Sequence, residues 1–204
     1  MKTDMLVINA SPYRDGSRSF RMFRQLMADA LEGHFNPIRV THLADDADLR
    51  VSADYAAALR RPPSEAAGRL DRSEAFIRDL ERADALVILT PMHNLAVPAV
   101  LKCWIDHVVR KDRSFRSSPT GKVGLLHDRP TLVVVTSGGF HRGARTGQKD
   151  FLSPYLTEIL AIVGIRAVDF AYLQGTVLDP VAAEGEERGV EAELKAWLDR
   201  QSKS

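Results

Sequence analysis

The uninterrupted apolar run Ala85-Leu86-Val87-Ile88-Leu89 leaves this chain few folds to adopt, because a strand that does not alternate must be covered on both faces. That is the signature of a central strand in a parallel sheet. After Thr90 the chain passes through Pro91-Met92-His93-Asn94-Leu95-Ala96-Val97-Pro98 and enters a helical pattern. Pro91 disfavours helix just before it, and Pro98 can open a helix at its first turn, where no amide hydrogen is missed. The amides of Met92 to Leu95 are thus expected to face a planar, polar-edged ligand at the carboxyl end of the strand.

Two further strand ends repeat the arrangement. Met5 to Ile8 is apolar and leads through Ser11-Pro12-Tyr13-Arg14-Asp15-Gly16-Ser17-Arg18-Ser19 into a helix with Phe20, Phe23, Met27 and Leu31 at helical spacing. Ser11, Ser17 and Ser19 can each donate a hydrogen bond, and the helix N-terminus adds oriented amides, so this reads as a phosphate loop. It lacks the Gly-Lys-Ser/Thr ending of a triphosphate loop and the Gly-x-Gly-x-x-Gly of a dinucleotide turn. A serine-rich turn of this kind can also be a plain helix cap. The third run, Thr131 to Thr136, is β-branched and leads into Ser137-Gly138-Gly139-Phe140-His141-Arg142-Gly143, where paired glycines allow close approach of backbone to a ring. By itself a Gly-Gly pair reads as a flexible connection. The coincidence of three such loops is what points to a ligand.

Strands are expected at Asp4 to Ala10, Ile38 to Leu43, Ala85 to Thr90, Thr131 to Thr136 and Ala167 to Leu173. Helices are expected at Ser19 to Glu32, Asp71 to Arg82, Pro98 to Lys111, Asp150 to Val163 and Glu186 to Arg200. Alternation of this kind implies one doubly wound α/β domain over residues 1–204, with a five-stranded parallel sheet in the order 2-1-3-4-5. In that order strands 1, 3 and 4 are neighbours, so their three loops converge. Two long excursions, Ala44 to Gly68 and Lys111 to Asp128, are candidates for binding loops, interface segments or plain surface.

Composition narrows the partners. With 204 residues and 45% hydrophobic content the chain can bury a full core, and 28 basic against 27 acidic residues leave no net field to recruit nucleic acid or an anionic membrane. No apolar segment is long enough to span a bilayer, and no signal-peptide pattern is present, so a cytoplasmic location is expected. The lone Cys103 excludes an internal disulfide, and none of the six histidines has metal-ligand spacing, so no metal is expected.

Several segments resemble one family: Pro91-Met92-His93-Asn94-Leu95, Leu101 to Arg110, Phe115-Arg116, Gly124-Leu125-Leu126 and Gly138-Gly139-Phe140-His141. They are similar to the bacterial FMN-dependent NADH:azoreductases, homodimeric flavodoxin-like enzymes also active as NAD(P)H:quinone oxidoreductases. The resemblance implies non-covalent FMN, with NADH or NADPH as co-substrate and ping-pong two-electron transfer to a quinone or azo compound. It implies that Ser11, Ser17, Arg18 and Ser19 hold the FMN phosphate, while Pro91, Met92, His93, Asn94 and Leu95 line the isoalloxazine. Thr136, Ser137, Gly138 and Gly139 would approach the polar edge of the ring, with catalytic roles falling to Asn94 and His141. A proton for the acceptor would come from water or His93. The chain departs from the family at His93 and Leu95, where Tyr and Phe are usual, at Ser137, where Arg or a similar residue is usual, and at Ser117, where an aromatic is usual. Two other classes share much of this pattern: a flavodoxin-type electron carrier, typically strongly acidic, and a non-catalytic flavin-binding module.

Overall fold

The computed structural model describes residues 3–30, 35–46, 49–61, 65–66, 68–177 and 180–201. In chain order the elements are β1 (Thr3–Asn9), α1 (Arg18–Ala30), β2 (Phe35–His42), α2 (Ala53–Ala58), α3 (Asp71–Arg82), β3 (Ala85–Pro91) and α4 (Ala99–Val108). There follow β4 (Phe115–Ser118), β5 (Gly121–Gly124), β6 (Thr131–Thr136), α5 (Leu152–Val163), β7 (Val168–Leu173) and α6 (Pro180–Gln201). Five strands form one parallel sheet in the order β2-β1-β3-β6-β7, the expected 2-1-3-4-5 arrangement, and β4 pairs with β5 as a separate antiparallel hairpin.

Alternate residues of the central strands feed two cores. Leu6, Ile8, Leu86, Ile88, Val133 and Val135 pack with Phe76 and Leu80 of α3, Leu101 and Trp104 of α4, and Leu156 and Leu160 of α5. Met5, Val7, Val87, Leu89, Leu132 and Val134 pack on the other face with Phe20 and Phe23 of α1 and Leu194 and Trp197 of α6. This double cover is why β3 shows no polar alternation.

Several boundaries differ from expectation, each for a local reason. β2 starts at Phe35 rather than Ile38 because Pro37 is tolerated in a strand at the sheet edge. α1 covers Arg18–Ala30, not Ser19 to Glu32, and Leu31 lies outside the described residues. α4 ends at Val108, short of Lys111, and α6 begins at Pro180, a residue well suited to a first helical turn, ahead of Glu186. α5 starts at Leu152, because Asp150 is a cap: its carboxylate accepts from the amides of Leu152 at 2.8 Å and Ser153 at 3.0 Å.

Both excursions carry structure. In the first, Ser52 caps α2 by accepting from the Tyr55 amide at 3.1 Å, and the buried Tyr55 donates its hydroxyl to the Asp106 carbonyl of α4 at 3.2 Å. The second holds the β4–β5 hairpin, docked on the end of α5 through the Leu126 amide and Val163 carbonyl at 3.0 Å. Among the described residues no helix is long and apolar enough to cross a membrane.

Candidate active site

The turn after β1 is organised by a residue that carries no motif, the fully buried Asn9. Its side-chain oxygen accepts from the Ser11 amide at 3.0 Å, and its side-chain nitrogen donates to the Arg14 carbonyl at 3.1 Å. The same nitrogen lies 3.1 Å from His42 Nδ1 at the end of β2, fastening the loop to the neighbouring strand. Ser11 Oγ accepts from the Tyr13 amide and Ser17 Oγ from the Phe20 amide, each at 3.3 Å. Ser17 is therefore a helix cap in this structure, and its hydroxyl hydrogen remains available to a ligand. Ser19, buried in the first turn of α1, makes no hydrogen bond through its hydroxyl among the described residues.

After β3 the chain turns back on itself within four residues. His93 and Ala96 exchange both backbone hydrogen bonds at 3.0 Å, and the two residues between them have positive φ, 50° at Asn94 and 69° at Leu95. Two consecutive left-handed residues define a tight hairpin turn that asparagine tolerates and leucine enters at a cost of about 1–2 kcal/mol. The turn narrows the expectation that all amides from Met92 to Leu95 face a ligand. The Met92 amide donates to Thr136 O at 2.8 Å and the His93 amide to Ala96 O. The amides of Asn94 and Leu95 are left without a protein acceptor among the described residues. Strain held beside two free donors is the mark of a backbone shaped for something else to bind.

The loop after β6 is fixed from β7. Gln174, just beyond β7, accepts from the amides of His141 at 2.8 Å and Arg142 at 2.9 Å through Oε1. Thr176 N and Gly175 N donate to the carbonyls of Ser137 and Gly139. Ser137 Oγ accepts from the Gly139 amide at 3.2 Å and lies 2.8 Å from His141 Nε2, while His141 Nδ1 lies 3.3 Å from the Lys149 carbonyl. A carbonyl can only accept, so Nδ1 is assigned the hydrogen, and Nε2 accepts from the Ser137 hydroxyl. Both nitrogens of the buried His141 are thus engaged by protein. The Gly138 amide has no acceptor among the described residues. A side chain at Gly138 would meet Val177 Cγ2 at 2.8 Å, and one at Gly139 would meet Gln148 Oε1 at 2.5 Å, so a Cβ at either position would have to displace the end of a neighbouring side chain.

These loops line two clefts at the carboxyl ends of β1, β3 and β6. One, of about 450 Å³, is bounded by Ser11, Ser17, Arg18, Ser19, Pro91 and Thr136 among others; the second, of about 400 Å³, by Met92, Asn94, Leu95, Ser137, Gly139 and His141. Every residue that the resemblance assigns to the cofactor therefore lies along one or the other, with His93 on the first and Gly138 on the second. Among the described residues neither excursion contributes to either cleft, and Ser117 is exposed on the hairpin, away from them. Sequence reasoning missed Asn9 and Gln174. Each is a polar residue closing an apolar run at a strand's carboxyl end, which is the signal that could have revealed them.

Arrangement and chemistry define a doubly wound α/β protein with a serine loop at its first helix and, between the ends of β3 and β6, a cleft lined by backbone amides and glycines. The profile of a family described as "Flavodoxin-like fold" matches residues 3–201. The chain is 45% identical over 184 residues to an FMN-dependent NADH:quinone oxidoreductase of Burkholderia lata, covering 89% of each chain. It is likewise 45% identical over 181 residues to one of Pseudomonas fluorescens, covering 85% of each. A crystal structure of an FMN-dependent NADH-azoreductase from Bacillus anthracis in complex with FMN superposes with a TM-score of 0.78 at 25% identity, covering 95% of this chain and 98% of that one. The chain belongs to the flavodoxin-like family that contains these FMN-dependent NADH:quinone oxidoreductases.

Proposed function

We propose that this protein is an FMN-dependent NAD(P)H oxidoreductase that reduces quinones, azo compounds or both, works as a homodimer and resides in the cytoplasm. The observation that carries the reading is the pairing of unused donors with bare glycine backbone: the free amides of Asn94 and Leu95 stand on a strained turn, in one cleft with the glycine pair 138–139 and next to the serine loop. These residues fit FMN. Ser11, Ser17 and Ser19 would hold its phosphate, and the Asn94, Leu95 and Gly138 amides would meet the polar edge of its ring. When bound, FMN supplies the two-electron chemistry that links a reduced nicotinamide to the acceptor.

The protein's own contribution is orientation and electrostatics. Backbone donors held at fixed positions stabilise negative charge on the ring without reorganising when it develops. His141, with both nitrogens engaged, acts here through Ser137, which holds the Gly139 amide in place. His93 is exposed at the cleft rim, where it can deliver a proton to an acceptor.

The dimer reading is supported by α4. Leu101, Trp104, Ile105 and Val108 are spent on the core, while Val97 just ahead of the helix and Val100 and Cys103 on it remain only partly covered, as do Tyr155 and Ile159 of α5. A partly covered apolar strip across two helices suits an isologous contact.

Anaerobic spectroscopy tests the activity. The purified protein should be yellow, release FMN on heating, bleach on addition of NADH and recover its colour when a quinone is added. Released FAD, or a flavin that NADH does not bleach, would refute the reading, and a long-lived blue radical on photoreduction would favour an electron carrier. A monomer by sedimentation at micromolar concentration would refute the dimer.

A further inference from the structure

We propose that Arg21 is the charge partner of the FMN phosphate and that Glu187 holds Arg18 back from that role; the proposal rests on the FMN reading above. The three serine hydroxyls are neutral. A phosphate monoester carries about 1.5 to 2 negative charges near neutral pH, against which a helix N-terminus offers about half a positive charge. About one charge is left to neutralise, in a cleft whose walls include Pro12, Tyr13, Pro91 and Val177.

Among the described residues lining that cleft, the cationic side chains are Arg18 and Arg21. They are not equivalent. Arg18 Nη1 lies 3.4 Å from Glu187 Oε1 of α6, so its guanidinium is turned towards the helix beside it. Arg21 makes no ion pair and no side-chain hydrogen bond among the described residues. Its amide donates to the Ser17 carbonyl at 3.0 Å, which fixes its Cα one turn below the capping serine. It borders both the phosphate cleft and the adjoining groove lined by Met22, Gln25, Glu187 and Glu191. A guanidinium matches the oxygens of a phosphate in a way the hydroxyls cannot, adding charge and a forked set of donors. Exposed ion pairs are weak, so Glu187 competes for Arg18 rather than locking it.

Riboflavin, which is FMN without the phosphate, isolates the effect. Apoprotein would be titrated with each flavin and followed by flavin fluorescence, with melting curves confirming that every variant folds. The unaltered protein should bind FMN more tightly than riboflavin. Arg21→Gln should weaken FMN by about tenfold or more, the size of one charge-assisted hydrogen bond, and leave riboflavin unchanged; Arg21→Lys should recover part of the loss. Arg18→Gln should have the smaller effect, and Glu187→Gln should tighten FMN. The proposal is overturned if Arg21→Gln leaves FMN affinity intact, or if Arg18→Gln carries the larger loss. Failure of the unaltered protein to prefer FMN over riboflavin would instead bring down the underlying FMN reading, and this proposal with it.

Discussion

Ser137 Oγ lies 2.8 Å from His141 Nε2 and in the same position accepts the Gly139 amide at 3.2 Å, so one buried hydroxyl serves both arms of the glycine loop. Ser137→Ala strands a ring nitrogen and an amide together. It should cost about 1–3 kcal/mol of stability, measured by denaturant unfolding of the flavin-free protein. An unchanged midpoint would mean that the hydroxyl does not hold this loop.

The serines of the first loop divide their work. Ser17→Ala removes a helix cap and should cost about 1 kcal/mol without any flavin, whereas Ser19→Ala should cost far less. Together they should weaken FMN by about 2 to 4 kcal/mol, roughly 1 to 2 for each bond lost to a charged acceptor. If FMN titrations show no loss, the serines are caps alone.

Leu95 sits at φ 69°, where a branched Cβ is least welcome. Leu95→Val should lower stability by about 1 kcal/mol or more, while Leu95→Gly should be close to neutral, since relief of about 1–2 kcal/mol of strain offsets the extra freedom of glycine in the unfolded chain. Equal losses in the two variants would show that the side chain's packing, not the turn, sets the cost.

Acceptor choice follows from the clefts. His93 and Leu95 line them where the resemblance leads one to expect aromatic rings, so quinone reduction should persist while bulky azo dyes turn over poorly. Replacing His93 by Tyr and Leu95 by Phe should raise the azo-to-quinone ratio, since aromatic contacts add about 0.5 to 1.5 kcal/mol each. A constant ratio in a variant that still binds FMN would place acceptor selection elsewhere.

Asp150 gives the loop a pH dependence. Burial alone would raise its pKa, but hydrogen bonds from the Tyr172 and Ser153 hydroxyls and from the Ser153 and Leu152 amides outweigh it and hold the carboxyl below its ordinary range. Its stabilisation is thus full above the unfolded value of about 3.9 and is lost as pH falls through the lower folded value. At the other extreme, burial and then Asp150 push the Tyr172 hydroxyl up to about 12, so stability should decline from about pH 10 towards that value. Melting curves should show Asp150→Asn with a flattened acid arm and Tyr172→Phe with a flattened alkaline one.

The apolar runs of β1, β3 and β6 make the sheet legible in the order of amino acids alone, and with it the convergence of their loops, because burial on both faces leaves an unmistakable pattern. The β4–β5 hairpin is hidden there: strands of four residues with only Phe115 buried carry too short a period to read. α2 escapes for the same reason, despite Ser52 as its cap. At the site, side chains with known chemistry line the two clefts, while the residues that hold their loops, Asn9 and Gln174, carry no such mark. Their role depends on which backbone groups lie within reach across neighbouring strands, and spacing along one chain does not encode that distance. The positive φ of Leu95 is equally invisible, since leucine is among the last residues a turn rule would place there.

The register of the sheet works as a ruler. Asn9 pairs with Leu89, and Pro91 with Thr136, so the serine loop and the glycine loop leave the sheet from strands two steps apart. Adjacent strands are about 4.8 Å apart, which places the two points of departure roughly 10 Å from one another whatever side chains the loops carry. Changing a loop residue can alter how firmly a ligand is gripped, yet the span between the two loops is metered by hydrogen bonds in the core. Under the proposed FMN reading, the length of ligand that fits is thereby set by the sheet, and the loops tune its grip and the choice of acceptor.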